Sequence, residues 1–303
     1  MKLSVVIPTK DRDEILALTL DAAVKATLHV DAEIIVVNDS KTDTLKMPKG
    51  QNVMLLDNPK SGVAAARNFG FKNAKGDLIL FLDNDILISK ESVDHILKLH
   101  FTYRNACFNL NWEYSPETLG KIVSLPFSRF LKASGMTSFK GWYNDTSWRE
   151  NELFVSKSVA SFHLSISRED FEKSRGYNEQ FPHAGFEDYD FPIRLKNAGI
   201  KFYIDSRMTV YHNELDRLKM ENWLISEERR AVTRKKAVRL GYTELELEYH
   251  PLKKILLKMI LGLERIIMIV AGFLPNNRFF DPAYFKIIAI IQASRIFKGY
   301  TSA

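Results

Sequence analysis

Cysteine occurs once among the 303 residues, at Cys107. No internal disulfide and no cysteine-based metal cluster can therefore form, which suits a reducing compartment. Glycine is missing from Pro8-Thr9-Lys10-Asp11-Arg12, the segment after the first apolar run. That excludes a glycine-rich phosphate loop at this position. Long uninterrupted apolar runs are missing as well. The most apolar stretch, residues 255–274, is broken by Lys258, Glu264 and Arg265. No cleavable apolar leader precedes the strand-like Ser4-Val5-Val6-Ile7, so a cytoplasmic location is expected. A large charge excess is absent too, the formal net charge being +6. With 46% hydrophobic residues, the chain can bury a sizeable core and dominant disorder is excluded.

The charge that is present is unevenly placed. Residues 217–303 hold 16 Lys/Arg against 8 Asp/Glu, whereas residues 1–216 hold 27 against 29. The basic part is also rich in Ile, Leu and Met. That combination points to an anionic membrane surface at least as well as to a nucleic acid. Lys254, Lys258 and Arg265 fall on one helical face, and residues 284–297 repeat the theme with Lys286, Arg295 and Lys298. A spanning helix would carry those charges into hydrocarbon, at about 2.5–3.5 kcal/mol each. Helices lying in the membrane interface are therefore favoured. Two helices packed on the protein's own core or on a partner copy are the alternative.

Short apolar strands alternate with helices through the first hundred residues. Strands are expected at residues 3–7, 34–37, 53–56 and 78–82. Helices are expected at 13–26, with Ile15, Leu16, Leu18, Leu20 and Val24 inward, and at 63–73. This alternation predicts an α/β fold with a mostly parallel sheet flanked by helices. In such sheets ligands gather at the carboxyl ends of the strands. Thr9, Asp11, Asp39, Asn58, Asp83 and Asp85 all stand there. Residues 101–155 read as irregular and aromatic. Beyond them, strands are expected at 159–167, 201–204 and 209–211, and helices from Arg168, over 186–197 and over 223–240. The catalytic part is expected to be residues 1–216, with a nucleotide-binding half at 1–100 and an acceptor-binding half at 101–216. A helical C-terminal region is expected at 217–303.

Four groups of residues carry chemistry. Asp83-Asn84-Asp85, just past a buried strand, can share a divalent cation and a sugar hydroxyl, although two aspartates in a loop are more often a solvated turn. Gly185-Phe186-Glu187-Asp188-Tyr189-Asp190 opens a helix with three carboxylates. One acid there would be explained by the helix dipole, but three offer a general base for an acceptor hydroxyl. His212 follows a strand; such a histidine is usually structural, yet neutral imidazole suits Mn2+. Small residues in Gly62-Val63-Ala64-Ala65-Ala66-Arg67-Asn68-Phe69-Gly70 let a helix approach the sheet closely and aim Arg67 at phosphates.

In this order the motifs resemble those of family 2 glycosyltransferases of the GT-A fold, over residues 3–215. Val5-Val6-Ile7-Pro8-Thr9 resembles the first strand and nucleotide-contacting loop. Asp39 stands where the family recognises uracil or ribose, and Arg67-Asn68 matches its Ala-Arg-Asn-x-Gly helix. Asp83-Asn84-Asp85 is similar to the DxD motif, which implies Asp85 as metal ligand, with Mn2+ or Mg2+ as the cofactor, and His212 as a further ligand. Glu187-Asp188 looks like the ED motif, implying Asp188 as catalytic base and Glu187 as acceptor or donor contact. The run from Gly176 to Asp190 resembles the galactosyltransferase-like branch. The donor site is then expected to comprise Pro8, Thr9, Asp11, Arg12, Asp39, Asn58, Arg67, Asp83 and Asn84. Trp142, Tyr143 and Trp148 are expected to stack on an acceptor, as Trp112 would, although tryptophan is more often buried packing.

There are departures from the family pattern. Val37-Asn38-Asp39-Ser40 replaces Asp-Asp-Gly-Ser, and Pro182-His183 with Phe186 replaces a more aromatic, glycine-rich approach. The Gln-x-x-Arg-Trp motif of processive synthases is absent, which argues for one sugar per encounter. The resemblance implies inverting transfer of a hexosyl or N-acetylhexosaminyl group. The donor is a nucleotide-sugar, UDP before dTDP or GDP, and the acceptor a glycan or lipid-linked glycan in surface polysaccharide synthesis. The enzyme is expected at the cytoplasmic face of a membrane, without a nucleic-acid partner and with room for self-association. Two rivals are a nucleotidyltransferase on a similar sheet and a non-catalytic binding protein. The first would want a glycine-rich loop, and the second has no use for four converging carboxylates.

Overall fold

The computed structural model describes residues 1–40, 52–122, 124–143, 146–181, 183–213 and 218–303. Pro182 lies outside them. The chain forms two compact units. The first comprises Met1–Ser115, Ser138–Pro182 and Glu187–Asn213, and the second Pro116–Thr137, His183–Phe186 and Glu214–Ala303.

In the first unit the chain runs β1 (Leu3–Thr9), α1 (Asp13–Thr27), β2 (Ala32–Asn38), β3 (Val53–Asp57), α2 (Val63–Asn73), β4 (Leu78–Leu82), β5 (Ile86–Leu87), α3 (Lys90–Thr102) and β6 (Ala106–Tyr114). The second unit contributes α4 (Pro116–Ile122) and α5 (Pro126–Ala133). The first resumes with α6 (Phe139–Tyr143), β7 (Leu153–Val155), β8 (His163–Ser167), α7 (Arg168–Ser174), α8 (Glu187–Asn197) and β9 (Lys201–His212). The second ends with α9 (Met220–Arg239), α10 (Pro251–Gly272) and α11 (Asp281–Ser302).

Among the described residues the sheet has nine strands in the order β3-β2-β1-β4-β8-β6-β9-β5, with β7 added on β9. The half from β3 to β4 is wholly parallel. β8 then runs antiparallel between β4 and β6. Every side chain of β1 and β4 is buried, because helices cover both faces and the strands need no polar alternation. Leu3, Val5 and Ile7 join Leu16 and Leu20 of α1 in one core, while Val6 joins Ala64, Ala66 and Phe191 in the other. Each fully buried aliphatic side chain contributes about 1.5–3 kcal/mol.

The α/β architecture is as expected, and several local expectations are corrected. In α1 the buried residues are Leu16, Thr19, Leu20, Ala23, Ala26 and Thr27, with Val24 half-buried against the same core. Leu18 is exposed because two residues carry it about 200° around the helix from Leu16. Residues 101–155 are not irregular: β6 lies there, buried along most of its length despite Asn109 and Asn111. Asn109 can sit inside because its Nδ2 donates to the carbonyls of Ala160 (2.8 Å) and His163 (2.6 Å) and its Oδ1 accepts from the Ala160 amide. The strand expected from residue 159 begins only at His163, and the helix expected from Phe186 begins at Glu187. The two short strands expected at 201–204 and 209–211 are one strand, β9, whose register against β6 shifts between Leu110 and Asn111. That irregularity interrupts the apolar pattern and so mimics a break.

In the second unit α11 is part of a core of its own. Ile288 and Ile291 are buried with Phe127, Phe130, Trp223 and Leu224. This overturns the interfacial reading for residues 284–297: their apolar face is spent on packing. The α10 segment is different. Only Leu257 and Ala271 of its 22 residues are buried. No helix among the described residues is long and apolar enough to cross a membrane.

Candidate functional site

The polar strand ends of the first unit meet along one sheet edge. Parallel strands in matched register bring Thr9 beside Asn38 and place the loop after β2 next to that after β1. The Asp39 amide donates to the Thr9 carbonyl (2.8 Å) and the Asn58 amide to that of Asn38 (2.8 Å). The Asp39 carboxylate is buried. Its Oδ1 accepts from Asn58 Nδ2 (2.7 Å) and from the Gly62 amide (2.9 Å), and its Oδ2 faces Lys10 Nζ (3.3 Å). Asn38, where the family pattern has aspartate, ties the same loop down. Its Oδ1 accepts from the Ser40 amide (3.0 Å), and its Nδ2 donates to Asp57 (3.1 Å). Asp11 adopts a positive φ of 51°, and its amide donates to Ser40 Oγ (2.9 Å).

Helix α2 carries Arg67 into the centre. Gly70 faces β1 so closely that a Cβ there would overlap Val6, which explains the glycine of the Ala66-Arg67-Asn68-Phe69-Gly70 run. One turn earlier Arg67 is buried. Its guanidinium bridges two motifs: Nη2 donates to Asp83 Oδ1 (2.8 Å) and Nη1 to Glu187 Oε1 (3.3 Å). It also lies over the Tyr177 ring, 5.3 Å from the centroid. Burial alone would lower its pKa, but Asp83 foremost, with Tyr177, Asp188 and Glu187, raises it, so the charge is permanent. Asn68 anchors the next segment, donating to the Tyr177 carbonyl and to Glu179 (2.9 Å each).

The Asp83-Asn84-Asp85 turn follows β4. Asn84 Nδ2 donates to Thr9 Oγ1 (2.8 Å), while Arg12 Nη1 donates to Asn84 Oδ1 (2.9 Å) and to Asp85 Oδ2 (2.6 Å). The other oxygen of Asp85 lies 3.0 Å from His212 Nε2. β5 pairs with the end of β9 at Ile86 and His212, so the sheet itself brings the two side chains together. The His212 ring stacks on Tyr114 and meets the edge of Trp112, which fixes its plane. A buried carboxylate beside an oriented imidazole suits Mn2+ or Mg2+. Among the described residues no group of three or more His, Cys, Asp or Glu side chains that could hold a metal ion forms.

Asp188 sits at the start of α8. Ser161 Oγ donates a short hydrogen bond to Asp188 Oδ1, and Tyr177 OH donates to Ser161 Oγ (2.8 Å). Burial raises the pKa of Asp188, opposed by Arg67 and by the Ser161 hydrogen bond. Burial likewise raises that of Tyr177, which keeps its hydroxyl a donor. Neither Ser161 nor the Tyr177 hydroxyl was readable as part of the site. Ser161 lies in an unremarkable Val-Ala-Ser-Phe run, and only folding brings it to Asp188, 27 residues on.

The expected site residues thus gather in the first unit, Pro8 included, since its place in β1 sets the loop that follows. The aromatics divide. Trp148 packs between Phe139 and Phe154, with centroids at 5.6 and 5.5 Å, and Trp112 is buried. Tyr143 leans on the same core and hydrogen-bonds Ser156 (3.0 Å). Trp142 presents an exposed face. Stacking on an acceptor by Trp112 is therefore not available without repacking, whereas Tyr143 and Trp148 are half-buried against that core.

A family model described as Glycosyl transferase family 2 matches residues 4–173, and one described as N-terminal domain of galactosyltransferase matches residues 154–221. The chain is similar to O-antigen biosynthesis protein RfbC of Myxococcus xanthus, 26% identical over 229 residues that cover 70% of this chain and 17% of that protein. It is similar also to the glycosyltransferase YfnE of Bacillus subtilis, 26% identical over 255 residues that cover 71% of this chain and 65% of that protein. It therefore spans less than two thirds of either relative. Among solved structures, the mannosyltransferase PcManGT from Pyrobaculum calidifontis in complex with GDP-Man and Mn2+ matches with a TM-score of 0.54 at 14% identity, covering 99% of this chain and 88% of that one. At that identity the likeness concerns the fold, which is GT-A.

Proposed function

The chain belongs to glycosyl transferase family 2 and is a glycosyltransferase, and from that premise we propose that it transfers one sugar per encounter, with inversion, from a nucleotide-sugar to a glycan acceptor. The observation that carries this reading is the Arg67 bridge, which holds Asp83 of the donor loop and Glu187 of the acceptor motif on one buried cation.

In this reading the loops around Pro8, Thr9, Asp11, Arg12, Asp39 and Asn58 receive the nucleoside, and Asp83 and Asn84 the ribose and sugar. Asp188, kept basic by burial, takes the proton from the acceptor hydroxyl as that oxygen attacks the anomeric carbon. Glu187 orients the acceptor, and exposed Trp142 offers a ring for an acceptor sugar. Asp85 and His212 would hold a divalent cation, which when bound supplies charge stabilisation for the departing diphosphate. An α-linked donor would give a β-linked product. UDP is the nucleotide we favour over dTDP and GDP, although PcManGT was solved with GDP-Man. A hexosyl or N-acetylhexosaminyl group and an acceptor in surface polysaccharide synthesis, free or lipid-linked, fit the relative named for O-antigen biosynthesis.

The test is a thermal-shift and hydrolysis screen with UDP-, dTDP- and GDP-sugars, each with and without Mn2+. A UDP-sugar should stabilise the protein and be turned over only with Mn2+. The reading fails if no nucleotide-sugar is bound, or if Asp83→Ala and Asp85→Ala proteins bind as well as the parent.

A further inference from the structure

Helix α10 has an inner face and an outer face of opposite character. Leu257 and Ala271 are buried, and Glu264 pairs with Arg295 of α11 (2.7 Å). Outward stand Leu252, Leu256, Met259, Leu263, Ile266 and Val270, all exposed. Ile255 and Ile269, also exposed, widen that face to more than a third of the helix circumference. The face continues at the C-terminal end into Phe273, 81% exposed. A 22-residue helix runs about 33 Å, so this is one long apolar strip.

Cations line one border of the strip. At 100° per residue Lys254, Lys258 and Arg265 cluster within about 40° of one another, beside Ile269 and Ile255. All three are exposed, and the one acid of the helix is committed inward. The 4-3 spacing of the seam would also suit a second copy of the same helix, but each copy would bring only cations to the flank, where coiled coils place complementary charges. The strip is also wider than a two-position seam. A broad apolar face edged by Lys and Arg is what an interfacial helix needs. The side chains enter the acyl boundary while the cations reach headgroup phosphates.

We propose that the outer face of α10 docks on an anionic lipid bilayer, lying in its interface. The inference rests on the second unit and not on the transfer reaction, so each can fail alone. The experiment is co-sedimentation of the full chain with vesicles of phosphatidylcholine, with or without a third of phosphatidylglycerol, alongside light scattering without lipid. The parent protein should pellet with the anionic vesicles and far less with neutral ones, with salt weakening the binding. Lys254→Glu, Lys258→Glu and Arg265→Glu should each weaken it by about fivefold or more. The double variant Leu256→Glu/Ile266→Glu should stay in the supernatant while keeping its thermal unfolding and donor hydrolysis, both positions being exposed. Indifference to anionic lipid overturns the proposal. So does a dimer that the double variant dissolves, in a protein that ignores vesicles; the face would then belong to a second copy.

Discussion

Arg67 Nη1 and Glu187 Oε1 lie 3.3 Å apart, although 120 residues separate them in the chain. Both side chains are almost wholly buried, and the same guanidinium holds Asp83. Removing one partner of such a group leaves charges without compensation, which costs more than the pair itself contributes.

Arg67→Ala should therefore lose about 3–5 kcal/mol of stability and at least about 100-fold in kcat/KM. Arg67→Lys should recover little, since an ammonium cannot span two carboxylates as a planar fork does. Chemical denaturation and donor kinetics check both. A stable, active Arg67→Ala protein would remove the bridge from the mechanism.

Replacing Asp188 separates catalysis from stability. Asp188→Asn should lower kcat by about 10²–10⁴-fold with little change in donor KM. The folded-state pKa of Asp188 lies above its ordinary value, so folding favours the protonated form, and that contribution is lost as pH rises through the folded value. At neutral pH the asparagine variant should thus unfold at or above the parent temperature. Calorimetry alongside kinetics tests the opposed signs.

Ser161 positions that base, with Tyr177 behind it. Its hydrogen bond favours the carboxylate, so Ser161→Ala should raise the pKa of Asp188 further. The acidic limb of the kcat/KM profile should move to higher pH, and Tyr177→Phe should move it the same way by less. A limb that stays put in both variants would reduce these residues to packing.

His212→Ala and Asp85→Ala should each raise the Mn2+ concentration for half-maximal activity at least about 10-fold, since outer-shell changes alone reach that size. Chelation by EDTA should abolish turnover, and added Mn2+ should restore it. Titration of activity against free Mn2+ gives the answer.

Acid should destabilise the first unit in a defined window. Burial lowers His100 and His163 from 6.5 to about 4 each. The unfolded chain binds these protons first, so stability falls as pH drops from about 6.5 to about 4, by about 3 kcal/mol per histidine. His100→Gln, whose amide can still hydrogen-bond Ser165 Oγ, should flatten part of that slope. Denaturant melts between pH 7 and 4 measure it.

Much of this could be read from the chain because the causes were local. β1, β4 and α2 are continuous or tightly spaced runs of apolar or small residues, and their identity as strand or helix follows from period and turn residues. The Asp83-Asn84-Asp85 and Glu187-Asp188 groups were likewise visible because each is contiguous. What depended on distant contacts was hidden. β6 keeps Asn109 inside only because carbonyls from another segment satisfy it, and Ser161 reaches Asp188 only once β8 and α8 have packed. The two C-terminal helices have similar compositions, yet one supplies core residues and the other leaves its apolar face open. Amino-acid type sets whether a side chain avoids water; which surface receives it is decided by the sum of packing across the fold, where single residues carry no record of their neighbours.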